Sequence, residues 1–181
     1  MPEEAIETTI GVVSALPVIR RAFLNRIQTF PTEINSGDQY QHMKKYLEDE
    51  YYIKEDEYAF GWLDLNLIKH ANMLNRVSSL FVTGLDVLDG ISEIKMCTKY
   101  KLGDKEVDGV LPATIDDFGK LTPEYKILQG WKTDITNIDK FDDLPVNCQS
   151  FLREVEKKSK CEISYISVNS EENEGMLRIV R

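Results

Sequence analysis

Cysteine and histidine are scarce in this chain. Cys97, Cys148 and Cys161 stand far apart with no Cys-x-x-Cys pair, and only His42 and His70 could complete a metal site. That spacing excludes a zinc ribbon and a disulfide framework, and leaves three reduced thiols in a reducing compartment. Long apolar runs are missing too. No window approaches the roughly 20 apolar residues of a bilayer span, and the start, Met1-Pro2-Glu3-Glu4, lacks the basic opening of a secretory signal. A soluble, cytoplasmic protein is the expectation. Positive charge is also in deficit, with 22 Lys plus Arg against 31 Asp plus Glu, a formal net charge of -9. Such a field repels a nucleic-acid backbone or an anionic membrane, so neither is expected as a partner.

Several catalytic signatures are absent as well. There is no Gly-rich phosphate loop of the Walker type, no Gly-x-Ser-x-Gly elbow and no His-Glu-x-x-His helix. His42 and His70 have no partnered nucleophile at motif spacing and read as helix-face or surface residues. No metal site is expected.

What the chain does contain is enough apolar residue, 42% of 181, for one domain with a core. Pro17 opens an expected helix carrying Ile19, Phe23 and Ile27, and a second short helix is expected from Gln39 to Glu48. The acidic tract Glu48 to Glu57 reads as an exposed loop. Trp62, Leu65, Ile68, Ala71 or Asn72, and Leu74 or Asn75 recur at helical spacing, which predicts an amphipathic helix over Gly61 to Val77 with Trp62 in the core. Ser79 to Thr83 is a short run of strand formers after that helix, so it predicts a buried parallel strand of an α/β sheet, with loop chemistry at its carboxyl end. Ser92 to Leu102 and Lys105 to Val110 form an expected hairpin turned at Gly103-Asp104. Helical signals follow at Thr114 to Gly119, Pro123 to Leu128 and Asp142 to Lys160, and Glu162 to Val168 closes as a strand.

Asp86 stands just beyond the expected strand. A carboxylate there can accept two N–H donors from a guanine ring, or it can cap the next turn. The residues leave both readings open.

Several blocks carry a resemblance. Pro31-Thr32-Glu33, Gly61-Trp62-Leu63-Asp64-Leu65, the run TGLDVLDGISEIK from Thr83 to Lys95, Leu128-Gln129-Gly130-Trp131 through Thr136, Asp142-Asp143-Leu144-Pro145 and Ile166-Ser167-Val168 follow in order. Together they resemble adenylosuccinate synthetase, over roughly residues 10 to 170 of a single domain 1–181. The resemblance is to the carboxyl-terminal part of that family. It implies an α/β fold of the P-loop-NTPase-like synthetase type without the N-terminal half that carries the phosphate loop and the catalytic Asp and His. The family joins inosine monophosphate to aspartate using GTP and magnesium.

By the same resemblance, the guanine site maps onto Gly84-Leu85-Asp86 and Ser167-Val168-Asn169, where the family has Lys-Leu-Asp and a Ser-x-Gly-like segment. The lysine has become Gly84 and the glycine Asn169. Before the first Gly-Trp pair the family carries a Thr-Thr-Gly-Arg-x-Arg-Arg run that holds aspartate and phosphates; here Lys54, Glu55, Asp56 and Glu57 stand in its place, followed by Tyr58-Ala59-Phe60. Arginine forks grip carboxylate and phosphate, and three carboxylates repel them.

The resulting expectation is a non-catalytic, synthetase-like protein with no catalytic residues and no required cofactor. Residual GTP binding should be weak. It would act through protein contacts, with a basic surface, a larger assembly or a full-length synthetase as partner. The tyrosine-rich stretch with Tyr40, Tyr46, Tyr51, Tyr52 and Tyr58 is the expected surface, with Tyr51, Tyr52 and Tyr58 at its centre. Two alternatives are a subunit of a split synthetase and a weak guanine-nucleotide sensor. Separation from the rest of such a fold should also leave a strand edge and an apolar helix face uncovered.

Overall fold

The computed structural model of the chain describes residues 7–21, 30–51, 57–169 and 176–178. The described elements run β1 (Ile10–Ser14), β2 (Val18–Arg20), α1 (Asp38–Tyr51), β3 (Tyr58–Phe60), β4 (Leu63–Asp64), α2 (Leu65–Asn75) and β5 (Ser79–Thr83). After a 3-10 turn at Leu85–Leu88 come β6 (Glu93–Leu102), β7 (Lys105–Val107), α3 (Ile115–Phe118), β8 (Thr122–Gln129), α4 (Val146–Ser159), β9 (Glu162–Ser167) and β10 (Met176–Arg178).

The main sheet has the order β1-β5-β9-β10. β5 runs parallel to both neighbours, with Ile10 opposite Ser79 and Val82 opposite Ile166, and β10 is antiparallel to β9. Leu80 and Val82 are fully buried, as a contiguous apolar run between two parallel neighbours requires. A second sheet is built on β6, which pairs with the hairpin strand β7, with β8 along its length, and with β4. The 93–107 hairpin forms as its sequence predicts. Both sheets share one core that includes Met43, Trp62, Leu65, Met96, Phe151 and Val155.

Helix α2 starts where chemistry allows it. The Asp64 carboxylate accepts the N–H groups of Asn66 (2.8 Å) and Leu67 (3.2 Å), satisfying donors that have no partner inside the helix. Its other oxygen accepts the Tyr100 hydroxyl, which binds the helix start to β6. The helix therefore begins at Leu65, and the preceding Gly61 to Asp64, expected as helical, is extended. In α4, Cys148, Phe151, Leu152 and Val155 are buried at helical spacing, while Lys157 and Lys158 complement the carbonyl end.

Both Gly-Trp pairs have the same logic. A Cβ on Gly61 would lie 2.3 Å from the Phe30 ring, and one on Gly130 would lie 1.9 Å from the Ile91 carbonyl oxygen. Only glycine fits these approaches, and each places a buried tryptophan, Trp62 or Trp131, in the core. Trp131 meets Phe151 edge-on at 6.0 Å.

Three expected elements differ. Val18 to Arg20 forms a strand against β3 instead of opening a helix at Pro17, because a partner 40 residues on supplies the pairing; Phe23 and Ile27 lie outside the described residues. Pro123 to Leu128 is part of β8, not a helix. β8 pairs with β6 along one side, and its Pro123 is tolerated where an N–H is not needed. Helix α1 runs on to Tyr51, so Glu48 to Tyr51 is helical where an exposed loop was expected.

The three cysteines are free and buried, and burial pushes the Cys97 and Cys148 thiols up to about 12. They are inert packing groups. No described helix is long and apolar enough to cross a membrane.

Candidate functional site at the carboxyl end of β5

β5 ends in Gly84, and the turn that follows buries Leu85, Asp86, Val87 and Leu88 together. β9 lies beside β5, so Ser167, Val168 and Asn169 leave the sheet next to Gly84, Leu85 and Asp86. The six residues of the expected guanine site are thus carried to the ends of adjacent parallel strands. Their side chains are engaged otherwise: the Ser167 hydroxyl donates to the carbonyl of Asn169 at 2.9 Å, and Val168 is core.

Asp86 is only 4% exposed. One carboxylate oxygen accepts a short hydrogen bond from the Tyr46 hydroxyl of α1, and the other is buried with no partner of hydrogen-bonding geometry. It does not cap its own turn, whose start has no side-chain cap. Burial raises the Asp86 pKa above the ordinary carboxylate value; the Tyr46 bond opposes that, and the nearby Asp134 charge adds to it.

Asp89 ties the next loop down. It accepts the Trp131 indole N–H at 2.5 Å and the Ile135 backbone N–H at 2.9 Å. Burial pushes its pKa up to about 6, against the pull of those two donors, with Asp86 and Asp134 adding repulsion. Asp134 is exposed and held low by Thr136, whose backbone N–H (2.9 Å) and hydroxyl (2.6 Å) donate to it. The mouth of β5 therefore gathers three carboxylates. Among the described residues no group of three or more His, Cys, Asp or Glu is arranged to hold a metal.

Beside this mouth lies a pocket of about 200 Å³, walled by Leu16, Val18, Tyr46, Leu47, Gly84 and Val87. Tyr46 was expected on an interaction surface; instead it joins the pocket wall to the Asp86 carboxylate. Tyr40 is likewise drawn inward and stacks on Phe60 at 5.3 Å. The signal was there at helical spacing, since Met43 and Leu47, three before and one after Tyr46, are both buried. Asp89 and Trp131 were not singled out as a pair, because nothing local joins positions 42 residues apart.

Of the remaining expected residues, Tyr58 is half-buried with the Arg20 guanidinium 5.8 Å from its ring, and Glu57 is exposed, its carbonyl accepting the Arg21 N–H at 2.8 Å. Tyr51 is the last residue of α1. Tyr52, Lys54, Glu55 and Asp56 lie outside the described residues. His42 is exposed on α1 and His70 half-buried on α2, neither paired with a nucleophile in the described contacts.

A family model for adenylosuccinate synthetase matches residues 1–176. The chain belongs to the adenylosuccinate synthetase family. Adenylosuccinate synthetase of Halothermothrix orenii is 33% identical over 183 residues, covering 96% of this chain and 39% of the relative. That of Koribacter versatilis is 34% identical over 186 residues, covering 97% and 38%. A solved structure, fully ligated adenylosuccinate synthetase from Plasmodium falciparum, superposes with a TM-score of 0.80 at 25% identity, covering 94% of this chain and 39% of that one. The chain thus spans about two fifths of the length of the synthetases it matches, and its α/β architecture is a partial synthetase fold.

The residues present do not fit a guanine nucleotide as they stand. Asp86 is already engaged by Tyr46, Gly84 offers no cation, and the nearby Asp89 and Asp134 oppose phosphate.

Proposed function

We propose that this chain is a non-catalytic member of the adenylosuccinate synthetase family, acting through protein contacts as a subunit or regulator of a larger assembly. The observation that carries the first half is the Asp86 carboxylate, buried and held by Tyr46 where the family resemblance implies base recognition. The run Glu55-Asp56-Glu57, in the place of the family's arginines, acts in the same direction: it repels the anions those arginines would hold.

Support for protein contacts comes from the surface. On β1, Ile10 and Val12 are exposed, Val12 at 70%, and among the described strands β1 pairs with β5 alone. Across a groove from β1, helix α2 presents the exposed Leu67, and further along the same helix Met73 and Leu74 are also exposed. An open strand edge beside an apolar helix face is costly in water and is stabilised by a partner. The tyrosine-rich stretch with Tyr51, Tyr52 and Tyr58 is the proposed specificity surface.

The test mixes the purified chain with an N-terminal synthetase fragment, inosine monophosphate, aspartate and GTP. No adenylosuccinate is expected, and product formation would overturn the non-catalytic reading. Alanine at Tyr51, Tyr52 and Tyr58 is expected to release a co-purifying protein; an unchanged complex would refute that surface.

A further inference from the structure

We propose that the free edge of β1 is a contact between two copies of this chain: two β1 strands pair antiparallel about a two-fold axis at Val12 and join the main sheets of both copies into one. The inference rests on the protein-contact reading above and names the partner as a second copy.

The direction of the backbone groups defines the edge. The Thr9 carbonyl accepts the Ser79 N–H at 3.4 Å, and the Ala15 N–H donates to the Thr83 carbonyl at 2.8 Å. Successive residues of a strand alternate sides, so Thr9, Gly11, Val13 and Ala15 face β5, while Ile10, Val12 and Ser14 turn their N–H and C=O groups to the free side. Among the described strands none pairs there. Open edges are usually blunted by a lysine, a proline or a bulge. β1 has none of the three: its register with β5 is unbroken from Ile10 to Ser14, and no charged residue occurs from Thr8 to Ile19.

Three observations select a second copy as the occupant. The outward groups complement themselves: with Val12 opposite the partner's Val12, Ile10 falls opposite the partner's Ser14, and each outward N–H meets a C=O. Charge permits the approach. The chain has a net charge of -9, yet neither Thr8 to Ile19 nor Leu65 to Gly84 contains an Asp or Glu, and Lys69 of α2 is paired with Asp108. Area requires more than the strands, since one strand pair falls short of the roughly 1,200–2,000 Å² that stable dimers bury. A two-fold axis normal to the sheet puts both copies of α2 on the same side of the joined sheet. The groove of about 390 Å³ between β1 and α2, walled by Leu67, Ala71 and Val77, then adds apolar area to the same interface. Such a pair consumes the edge of each copy and closes.

The experiment is sedimentation of the purified chain, free of other proteins, at micromolar concentration. The wild type is expected at twice the 20.8 kDa of one chain. Val12→Pro removes an N–H that β5 does not use and is compatible with an edge strand, so it is expected to give a monomer with an unchanged circular dichroism spectrum. Val12→Cys sets two thiols across the axis, where the Cα atoms of a hydrogen-bonded pair lie about 5.5 Å apart, within disulfide reach. Oxidation is expected to link Val12→Cys into a covalent dimer and to leave Ile10→Cys unlinked; the native cysteines are buried and do not compete. A monomeric wild type, a dimeric Val12→Pro, or linkage through Ile10→Cys and not Val12→Cys would overturn the proposal. Co-purification from the source tests the protein-contact reading separately, and a foreign strand found on this edge there would exclude the second copy.

Discussion

At the scale of single residues, the carboxylates of Asp64, Asp86 and Asp89 each join segments distant in sequence. The Tyr46 hydroxyl is the side-chain donor described at Asp86, so Tyr46→Phe removes a hydrogen bond to a buried carboxylate and is expected to lower stability by about 1–3 kcal/mol in urea unfolding. Adding Asp86→Asn should return part of that loss, and additive effects of the two substitutions would deny their coupling. Asp89 gives a pH dependence of definite sign. Its folded pKa, about 6, lies above the unfolded 3.8, so the folded state binds its proton more tightly. The stability it contributes is full below 3.8 and is lost as pH rises to about 6. Asp64 and Asp86 are raised by burial and act with the same sign, whereas Asp117, Glu124 and Asp134 are lowered by their hydrogen-bond donors and act against it. Fluorescence in a Trp62→Phe background should titrate near pH 6 through the Asp89–Trp131 bond; a flat profile from pH 4 to 7 would show that Asp89 is not coupled to the indole. None of these partnerships was legible in the sequence. Asp86 drew attention by its place after an apolar run, but its partner lies 40 residues earlier, and a tyrosine among acidic residues reads as surface until the helix that carries it is docked.

At the scale of elements, local signals sufficed where an element's own residues decide its form. β5 was legible because a parallel strand buried on both faces is a contiguous apolar run, and the 93–107 hairpin because Gly103 and Asp104 mark its turn. β2 and β8 were not, since Val18 to Arg20 and Thr122 to Gln129 become strands only by pairing with Tyr58 to Phe60 and Glu93 to Lys101. The start of α2 was misplaced by four residues because Asp64, read as part of a helix, is its cap. Two substitutions test this scale. Asp64→Ala removes both the cap and the Tyr100 partner and is expected to cost about 2–4 kcal/mol, read as a fall in Tm; a loss within experimental error would deny the cap its role. Gly130→Ala drives a methyl into the Ile91 carbonyl and is expected to cost about 3 kcal/mol or prevent folding, whereas Gly103→Ala, with nothing within 4 Å, should cost far less despite its left-handed backbone.

At the scale of the whole molecule, the chain has a partial synthetase fold, and the Asp86 carboxylate at the end of β5 is engaged by Tyr46. Buried Trp62 and Trp131, the parallel β1-β5-β9 core and the glycines that permit close approach make that scaffold, and the Asp86 carboxylate is occupied from within. Family membership was readable because those scaffold residues lie in contiguous blocks. The internal engagement of Asp86 was not, because it is a property of the assembled fold. Among the described residues, the edge of β1 away from β5 has no strand paired to it and α2 exposes apolar side chains, and the proposal of a partner rests on these two surfaces. The measurement that tests this account most directly is the native mass of the protein isolated gently from its source, with every co-purifying chain identified. A stable complex of defined stoichiometry, well above the 20.8 kDa of this chain, is the predicted result. A solitary 20.8 kDa species would contradict it.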